Sequence, residues 1–309
     1  MRIEREPFPP SLSSASVVTV GKFDGVHLGL RAVLAETVRR ARQLDVDAVV
    51  VTFDRNPLAL LRPDICPPAL VSLDRKLELL ADTDIDLVVV LTFDEQRASE
   101  APEAFVDELL VARLGARSVL VGRDFRFGAK GAGDVGQLRR MGADRGFTVD
   151  LLPDVGGFGV DRISTSGIRT LIGEGRISEA AARLGSLPAV TGEVVHGNAR
   201  GRDLGFPTAN LTTEPGGVVP ADGVYAGWLT ARGERMASAI SVSDNPTFDT
   251  ADQRRVEAYV IDRDVDLYGE IVTVEFEERI RGIVAFDSID ALIERMSADV
   301  AEARSVLQR

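Results

Sequence analysis

The residues best suited to binding or catalysis lie in one glycine-rich stretch, residues 192–210. Three glycines recur there at four-residue intervals and leave the backbone free to bend closely around a polyanion: Gly197, Gly201 and Gly205. Pro207 then stiffens the chain ahead of Thr208 and Asn210, whose hydroxyl and amide oxygens are hard ligands suited to Mg²⁺ and to phosphate oxygens. The glycine spacing alone fits a polar surface hairpin equally well, but the appended Pro-Thr-x-Asn favours a binding loop.

Glu257 is an unusual carboxylate in the same half of the chain. It falls in the middle of a predicted strand, where a carboxylate is rare unless it faces solvent or a pocket. A solvated strand face is the simpler interpretation of this residue taken alone. Two short motifs flank it: Asn245-Pro246-Thr247-Phe248 before it, and Asp266-Leu267-Tyr268-Gly269, which indicates a turn, after it.

In the first half of the chain, a glycine turn at residues 20–30 follows a predicted strand and opens a predicted helix. The amino terminus of a helix is a natural phosphate site, because its backbone N–H groups lack partners within the helix. His27 lies at the first turn of this helix, where it can donate a hydrogen bond to an α-phosphate. A capping or packing role is the simpler interpretation of a lone histidine at a helix start.

Two further segments carry polar side chains next to the ends of predicted elements. Residues 121–128 close a strand and combine aromatic with basic side chains. Residues 163–169 place hydroxyl groups at a helix N-cap, with Arg169 one turn into the helix.

The composition is that of a folded globular protein with room for two domains. The chain has 309 residues, of which 45% are apolar and 27% charged. A net charge of −12 argues against a general nucleic-acid binder, which needs a basic face. No apolar run approaches the roughly 20 residues that span a bilayer. With the single Cys66 and no signal peptide pattern, we expect a cytoplasmic protein whose partners are small molecules, not membranes or nucleic acids.

The hydrophobic periodicity of the first half alternates between strands and helices. Strands are predicted at Ser16–Val20, Asp47–Phe53, Asp86–Phe93, Ser118–Gly122 and Phe147–Leu152, and helices at Leu30–Leu44, Leu73–Asp82, Pro102–Leu114 and Val135–Arg145. This alternation, with nearly continuous apolar strands, predicts a Rossmann-like parallel α/β sheet covered on both faces. Ligands of such sheets bind beyond the carboxyl ends of the strands, where the motif-bearing loops fall.

The second half has a different pattern of predicted strands and helices. After short helices at Ser166–Ile172 and Ile177–Leu184, strands are predicted without intervening helices at Ala189–His196, Gly223–Thr230, Met236–Val242, Arg255–Ile261 and Ile271–Ile280. Such spacing predicts a small antiparallel β-barrel, with an amphipathic C-terminal helix, Ser288–Leu307, packed on it. Gly185 and Pro188 mark the boundary, so we predict domains at residues 1–186 and 187–309.

The second half also resembles the riboflavin kinase module of the bacterial bifunctional flavin nucleotide synthetases. The family signature runs G-x-V-x-x-G-x-x-x-G-R-x-L-G-F-P-T-A-N, then N-P-T-F, then an E ahead of D-L-Y-G, and each piece occurs here. The resemblance implies that ATP phosphorylates riboflavin to FMN, that Thr208 and Asn210 hold Mg²⁺ and ATP, and that Glu257 accepts the proton of the ribityl 5′-hydroxyl. It also implies phosphate contacts from Gly197, Gly201, Arg202 and Gly205, and flavin contacts from Asn245, Pro246 and Thr247.

The first half resembles the adenylyltransferase module of the same family, which transfers AMP from ATP to FMN and makes FAD. The family patterns G-x-F-D-G-V-H-x-G-H, V-G-x-D-F-R-F-G and I-S-S-T-x-I-R correspond to residues 21–30, 121–128 and 163–169. The resemblance implies that His27 is the catalytic contact to the α-phosphate. The further nucleotide contacts that it implies are Gly21, Phe23, Asp24, Gly29, Ser164, Thr165 and Arg169, and the residues near the flavin or the nucleotide are Asp124, Phe125 and Arg126.

Two positions depart from the adenylyltransferase pattern. The second histidine of H-x-G-H is Leu30, and the histidine of T-F-x-P-H-P is Asn56. Loss of one donor to the developing negative charge typically slows such a reaction by about 10²–10³. We therefore predict that adenylyl transfer is severely weakened or absent, unless Lys22 or Arg55 supplies the missing donor.

Three functional hypotheses follow from these motifs. The first is an enzyme with both activities, and the second is a riboflavin kinase whose first module binds nucleotide or flavin but catalyses poorly. The third is a non-catalytic flavin or nucleotide sensor derived from the enzyme. The intact Thr208, Asn210 and Glu257 count against the third hypothesis, because a sensor does not need the base.

Overall fold

The computed structural model describes residues 1–152, 163–197, 201, 204–212, 216–244 and 254–308. Four of the predicted site residues lie outside this described part of the chain: Arg202, Asn245, Pro246 and Thr247.

The chain packs as two compact units. The first consists of residues 1–67 and 73–163, and the second of residues 68–72 and 164–309. The predicted boundary at residues 186 and 187 therefore differs from the division into compact units. The reason is that the two short helices after residue 163 pack with the barrel, as described below.

The first unit is built on a six-stranded parallel sheet with the strand order β1-β4-β3-β2-β5-β8. Its strands are β1 (Arg2–Arg5), β2 (Ser16–Val20), β3 (Asp47–Phe53), β4 (Leu87–Leu91), β5 (Ala116–Val121) and β8 (Thr148–Leu151). β2 and β4 are buried along their whole length, which explains the unbroken apolar sequence of β4 and the mainly apolar sequence of β2. β1 was not predicted, because it is a charged edge strand with no hydrophobic pattern.

Helices connect the parallel strands as the crossover topology requires. They are α1 (Leu28–Leu44), α2 (Leu58–Leu61), α3 (Leu73–Ala81), α4 (Glu95–Ser99), α5 (Pro102–Ala104), which continues as a π-helix (Phe105–Arg113), and α6 (Val135–Arg145). α1 packs on β2 and β3, and α6 packs on β8. A short hairpin of β6 (Arg126–Phe127) and β7 (Gly133–Asp134) follows β5.

The second unit contains a closed antiparallel barrel with the strand order β10-β13-β12-β11-β14-β9. Its strands are β9 (Ala189–Val195), β10 (Ala209–Leu211), β11 (Gly223–Ala231), β12 (Glu234–Asp244), β13 (Arg254–Val260) and β14 (Ile271–Arg281). Tyr225 and Phe276 are fully buried inside it and meet edge to face at 5.4 Å. The predicted parallel α/β sheet followed by an antiparallel barrel is thus confirmed.

Three helices accompany the barrel: α7 (Thr165–Gly173), which packs on α8 (Ile177–Leu184), then α8 itself, which packs on β14, and α9 (Ile289–Leu307). Ile177 of α8 belongs to the buried core cluster of the barrel, which draws the region after residue 163 into the second unit. α9 packs on β11, β12 and β14, as predicted for the C-terminal helix. Its buried Asp299 accepts hydrogen bonds from Arg281 of β14.

Candidate active sites

The predicted phosphotransfer residues of the second unit lie together on the outer face of the barrel. Asn210 of β10 pairs directly with Glu257 of β13 in the antiparallel ladder. Side chains of a directly opposed pair share one face, with Cβ atoms about 4.5–5.5 Å apart. The face is the outer one, since Val256 and Ala258 on either side of Glu257 point into the buried barrel core.

Thr208 joins this pair through the Asn210 side chain. Nδ2 of Asn210 donates to the carbonyl oxygen of Thr208 at 3.2 Å and lies 3.3 Å from its Oγ1. Asn210 is 9% exposed, while Glu257 is half-buried, so the carboxylate remains accessible. The structure therefore brings Thr208, Asn210 and Glu257 into one cluster.

The glycines of the loop are required by close approaches and by backbone conformation. A Cβ on Gly197 would lie 2.4 Å from Asn210 Oδ1, and a Cβ on Gly201 would lie 2.5 Å from the carbonyl oxygen of Phe206. Gly205 has a φ of +88°, which favours glycine. The Gly201 carbonyl oxygen accepts hydrogen bonds from the N–H groups of Leu204 and Phe206, which precede Thr208.

A cation and a stacked ring pair border the cluster. Arg255, two residues before Glu257 on the same face of β13, places Nη1 3.5 Å from Glu257 Oε1. His196 stacks on Tyr268 with ring centroids 4.0 Å apart. A small cavity of about 40 Å³ next to them is lined by Thr208, Tyr268 and the turn before β14.

In the first unit, the turn after β2 has a constrained backbone. Phe23 and Val26 adopt left-handed conformations, with φ values of 48° and 41°. Both side chains are buried, which fixes residues that would otherwise avoid this region. The turn leads to His27 at the N-cap of α1, and a Cβ on Gly29 would lie only 3.2 Å from the His27 ring.

His27 is 6% exposed, and this burial lowers its pKa to about 4. The imidazole is therefore neutral near pH 7 and can donate one N–H without carrying charge. Asp24 lies in the same turn, half-buried, three residues before it.

A larger cavity lies at the carboxyl edge of the parallel sheet. It has a volume of about 510 Å³ and is lined by residues that follow β2, β3, β4 and β5. Five aromatic side chains contribute to its lining: Phe53, Phe93, Phe105, Phe125 and Phe127. Phe53 meets Phe93 edge to face at 5.7 Å, and Phe125 stacks on Phe127 at 5.6 Å.

Charged side chains complete the lining of this cavity. The cations are Lys22, Arg97, Arg126 and Lys130, and the carboxylates are Glu100 and Asp124. The cavity therefore brings Gly21 together with the predicted flavin residues Asp124, Phe125 and Arg126. Its size and composition suit a flat aromatic ligand that carries a negative charge.

The predicted phosphate residues Ser164, Thr165 and Arg169 lie in the second compact unit. Ser164 is the N-cap of α7 and its Oγ accepts from the N–H of Gly167 at 3.1 Å, as the hydroxyl pattern indicated. Nε of Arg169 donates to the carbonyl oxygen of Pro68 at 2.9 Å.

The sequence motifs did not identify Lys76 as a residue of interest. Its Nζ donates to the carbonyl oxygen of Phe53 at 2.7 Å and lies 3.2 Å from Thr52 Oγ1. The side chain is 8% exposed, and burial lowers its pKa to about 8. The signal was available: Lys76 stands three residues after Leu73 and four before Leu80, which places it on the apolar stripe of α3.

The whole chain is similar to known proteins. A family model described as FAD synthetase matches residues 10–167, and one described as riboflavin kinase matches residues 184–307. A bifunctional riboflavin kinase/FMN adenylyltransferase from Escherichia coli (strain K12) is 34% identical over 289 residues, 93% of this chain and 91% of that protein. The chain belongs to this family. It comprises an FAD synthetase domain and a riboflavin kinase domain. The family resemblance found in the sequence motifs is thus confirmed.

Other relatives extend the same comparison. The bifunctional riboflavin kinase/FMN adenylyltransferase of Listeria monocytogenes serovar 1/2a is 34% identical over 292 residues, 94% of this chain and 91% of that protein. A solved structure named as a macrolide-efflux protein from Streptococcus pneumoniae superposes with a TM-score of 0.82 at 30% identity and covers 98% of both chains. No helix in the described part of this chain is long and apolar enough to cross a membrane.

The two positions at which the sequence motifs lead us to expect a histidine are Leu30 and Asn56. Leu30 lies half-buried in the first turn of α1 and has no polar side-chain atom. Asn56 has its Oδ1 3.2 Å from the N–H of Leu58, where it helps to start α2. Of the two candidate substitutes, Lys22 lines the aromatic cavity, whereas Arg55 is exposed and lies 3.6 Å from Asp54.

Proposed function

We propose that the riboflavin kinase domain phosphorylates riboflavin to FMN with ATP and that Thr208, Asn210 and Glu257 carry this reaction. The observation that carries the proposal is the direct pairing of Asn210 with Glu257, with Thr208 hydrogen-bonded to Asn210. A base and two hard oxygen ligands on one accessible face are the parts that phosphoryl transfer needs.

Thr208 and Asn210 are the residues that would hold the divalent cation, which we propose to be Mg²⁺. Their hydroxyl and amide oxygens suit this hard ion, and Gly197 leaves beside Asn210 Oδ1 the space that a Cβ would fill. Among the described residues, no group of three or more histidine, cysteine, aspartate or glutamate side chains forms a metal site, so such a cation would be shared with the ATP phosphates. When bound, it would neutralise charge on the transferring phosphoryl group.

The proposed chemistry is an in-line phosphoryl transfer. Glu257 accepts the proton of the ribityl 5′-hydroxyl as this oxygen bonds to the γ-phosphorus. The bond between the γ-phosphorus and the β,γ-bridging oxygen breaks, and ADP leaves. The glycine turn in front of Thr208 orients the phosphates, and most of the catalysis arises from positioning and charge.

We further propose that the FAD synthetase domain binds a nucleotide and a flavin but transfers AMP slowly. The aromatic cavity next to Gly21 supports flavin binding, and His27 supports a contact to the α-phosphate. Leu30 supports slow transfer because it offers no donor, and Asn56 has only its neutral amide N–H₂ to donate, since its Oδ1 accepts from the Leu58 N–H. An alternative is full adenylyl transfer, with Lys22 supplying the charge.

One incubation separates these functions. The purified protein is mixed with riboflavin, ATP and Mg²⁺, and riboflavin, FMN and FAD are resolved by chromatography. We expect FMN to accumulate with little FAD. Rapid conversion to FAD would reject the slow-transfer proposal, and unchanged riboflavin would reject the kinase proposal in favour of a non-catalytic sensor.

A restored variant tests the cause of slow transfer. Leu30→His combined with Asn56→His should raise FAD formation by about 10²-fold or more, because two donors return to the α-phosphate region. FMN formation from riboflavin serves as the control and should stay unchanged. No gain in FAD would show that these two positions do not limit the reaction.

A further inference from the structure

Lys76 is a buried cation that the proposed chemistry has not used. The chain has three lysines, and the other two, Lys22 and Lys130, are exposed. Lys76 projects from α3 and is 8% exposed. Burial of an ammonium group costs folding free energy unless hydrogen-bond acceptors surround it. The acceptors around Lys76 are therefore the feature to identify.

The contacts of Lys76 join the ends of two neighbouring strands. Its Nζ lies 2.7 Å from the carbonyl oxygen of Phe53 and 3.2 Å from Thr52 Oγ1, at the carboxyl end of β3. It also lies 3.4 Å from the carbonyl oxygen of Lys22, in the turn after β2. Thr52 Oγ1 donates to the same Lys22 carbonyl at 3.1 Å. Lys76 Nζ, Thr52 Oγ1 and the Lys22 carbonyl oxygen are thus each hydrogen-bonded to the other two.

The turn that Lys76 reaches is the strained one. Phe23 and Val26 hold left-handed backbone conformations, which residues with a Cβ atom keep only when the surrounding structure imposes them. α3 packs against residues 24–26 of this turn. Burial lowers the pKa of Lys76, and the carboxylates of Asp24 and Asp54 partly offset this by stabilising the ammonium charge. α3 thus supplies both packing and a hydrogen-bonding cation to the turn.

We propose that Lys76 is a positioning residue of the FAD synthetase domain. It ties the turn after β2 to the end of β3, and so holds His27 and the segment leading to Asn56 at the spacing that the nucleotide phosphates require. This inference rests on the proposed nucleotide site of that domain. Lys76 does not touch the substrate in this scheme, since its donors are directed to protein oxygens.

The test removes the donors and keeps the length of the side chain. Lys76→Met is introduced into the Leu30→His/Asn56→His background, where FAD formation is expected to be measurable. Misplacement of a reacting group by about 1 Å can cost 10²-fold, so we expect FAD formation to fall by about 10–100-fold through kcat. Lys76→Arg, which keeps charge and donors, should recover part of the loss.

Two controls accompany this experiment. Arg75→Met changes the neighbouring cation on α3, which is ion-paired with Glu78, and should leave FAD formation within about twofold. FMN formation from riboflavin, measured in the same reaction, reports the separate kinase domain. A Lys76→Met rate within about threefold of its parent, or an equal loss in Arg75→Met, would overturn the inference.

Hydrogen exchange gives a second measurement that does not need turnover. In the otherwise unchanged protein, ATP should slow exchange of the amides in residues 21–29, and Lys76→Met should abolish this protection. Equal protection in both proteins would overturn the role of Lys76 even if the restored variant made no FAD. No protection in the unchanged protein would reject the proposed nucleotide site of this domain, and the inference with it. Absence of FMN from the unchanged protein would instead reject the proposed kinase function.

Discussion

At the scale of single residues, Glu257 carries the kinase proposal. A general base contributes about 10²–10⁴ to a rate, so Glu257→Gln should reduce FMN formation by that factor while riboflavin still binds. The measurement is kcat and KM for FMN formation by chromatography. Glu234→Gln, an exposed carboxylate of β12 paired with Arg263, is the matched control and should keep normal activity. Near-normal turnover in Glu257→Gln would exclude this residue as the base.

His27 provides a pH prediction at the same scale. Burial lowers its pKa from the ordinary value of 6.5, which the unfolded chain keeps, to about 4, so the unfolded chain binds the proton more readily. His27 therefore contributes no pH dependence above about 6.5, and it lowers the free energy of unfolding as the pH falls from about 6.5 towards 4.

The magnitude of this effect can be measured against a variant. At pH 5 the linkage amounts to about 2 kcal/mol, so the stability difference between the unchanged protein and His27→Gln should shift by about that amount between pH 7.5 and pH 5. Urea unfolding at both pH values gives the two differences. A constant difference would mean that His27 titrates near its usual pH.

At the scale of elements, the pairing of β10 with β13 brings together Asn210 and Glu257 of the proposed kinase site, and Gly197 leaves room for the Asn210 side chain. A Cβ at position 197 would lie 2.4 Å from Asn210 Oδ1, so Gly197→Ala should displace this side chain and lower kcat/KM for FMN formation by about 10–100-fold. The control is Gly173→Ala in α7, where an added Cβ meets no atom within 4 Å. Equal activities of the two variants would argue against a requirement for Asn210 in its present position.

At the scale of the whole molecule, one short segment belongs to a different compact unit from the residues on either side of it in the sequence. Residues 68–72 belong to the second compact unit, although they precede most of the first. Val71 bridges to Gly217, and Leu70 is 2% exposed. Part of the second unit is therefore encoded about a hundred residues before the rest of it.

This organisation predicts that Leu70→Ala weakens the second unit. Loss of a buried leucine side chain costs about 2–5 kcal/mol, and Trp228, the single tryptophan, lies in β11 and reports unfolding of the barrel by fluorescence. Leu44→Ala, at an exposed position of α1, should change stability by less than about 0.5 kcal/mol. An unchanged tryptophan transition in Leu70→Ala would contradict the assignment of this segment to the second unit.

The sequence by itself determined the fold class and the family. The largely apolar strand β3 and the hydrophobic period of α6 were predicted at the bounds that the structure has, because burial on both faces of a sheet or on one face of a helix requires apolar residues at regular positions. The motif of residues 192–210 identified the riboflavin kinase domain. The roles of Thr208, Asn210 and Glu257 stay predictions, although the structure brings these residues together.

Only the tertiary structure decided which distant residues meet. β10 has three residues, too few for a periodic signal, yet its pairing with β13 sets Asn210 opposite Glu257. The charged edge strand β1, the burial of Lys76 beneath the turn after β2 and the packing of residues 68–72 with the barrel likewise depend on contacts remote in sequence. Local pattern specifies which face of an element is apolar, but the partner of that face is chosen by the free energy of the assembled fold.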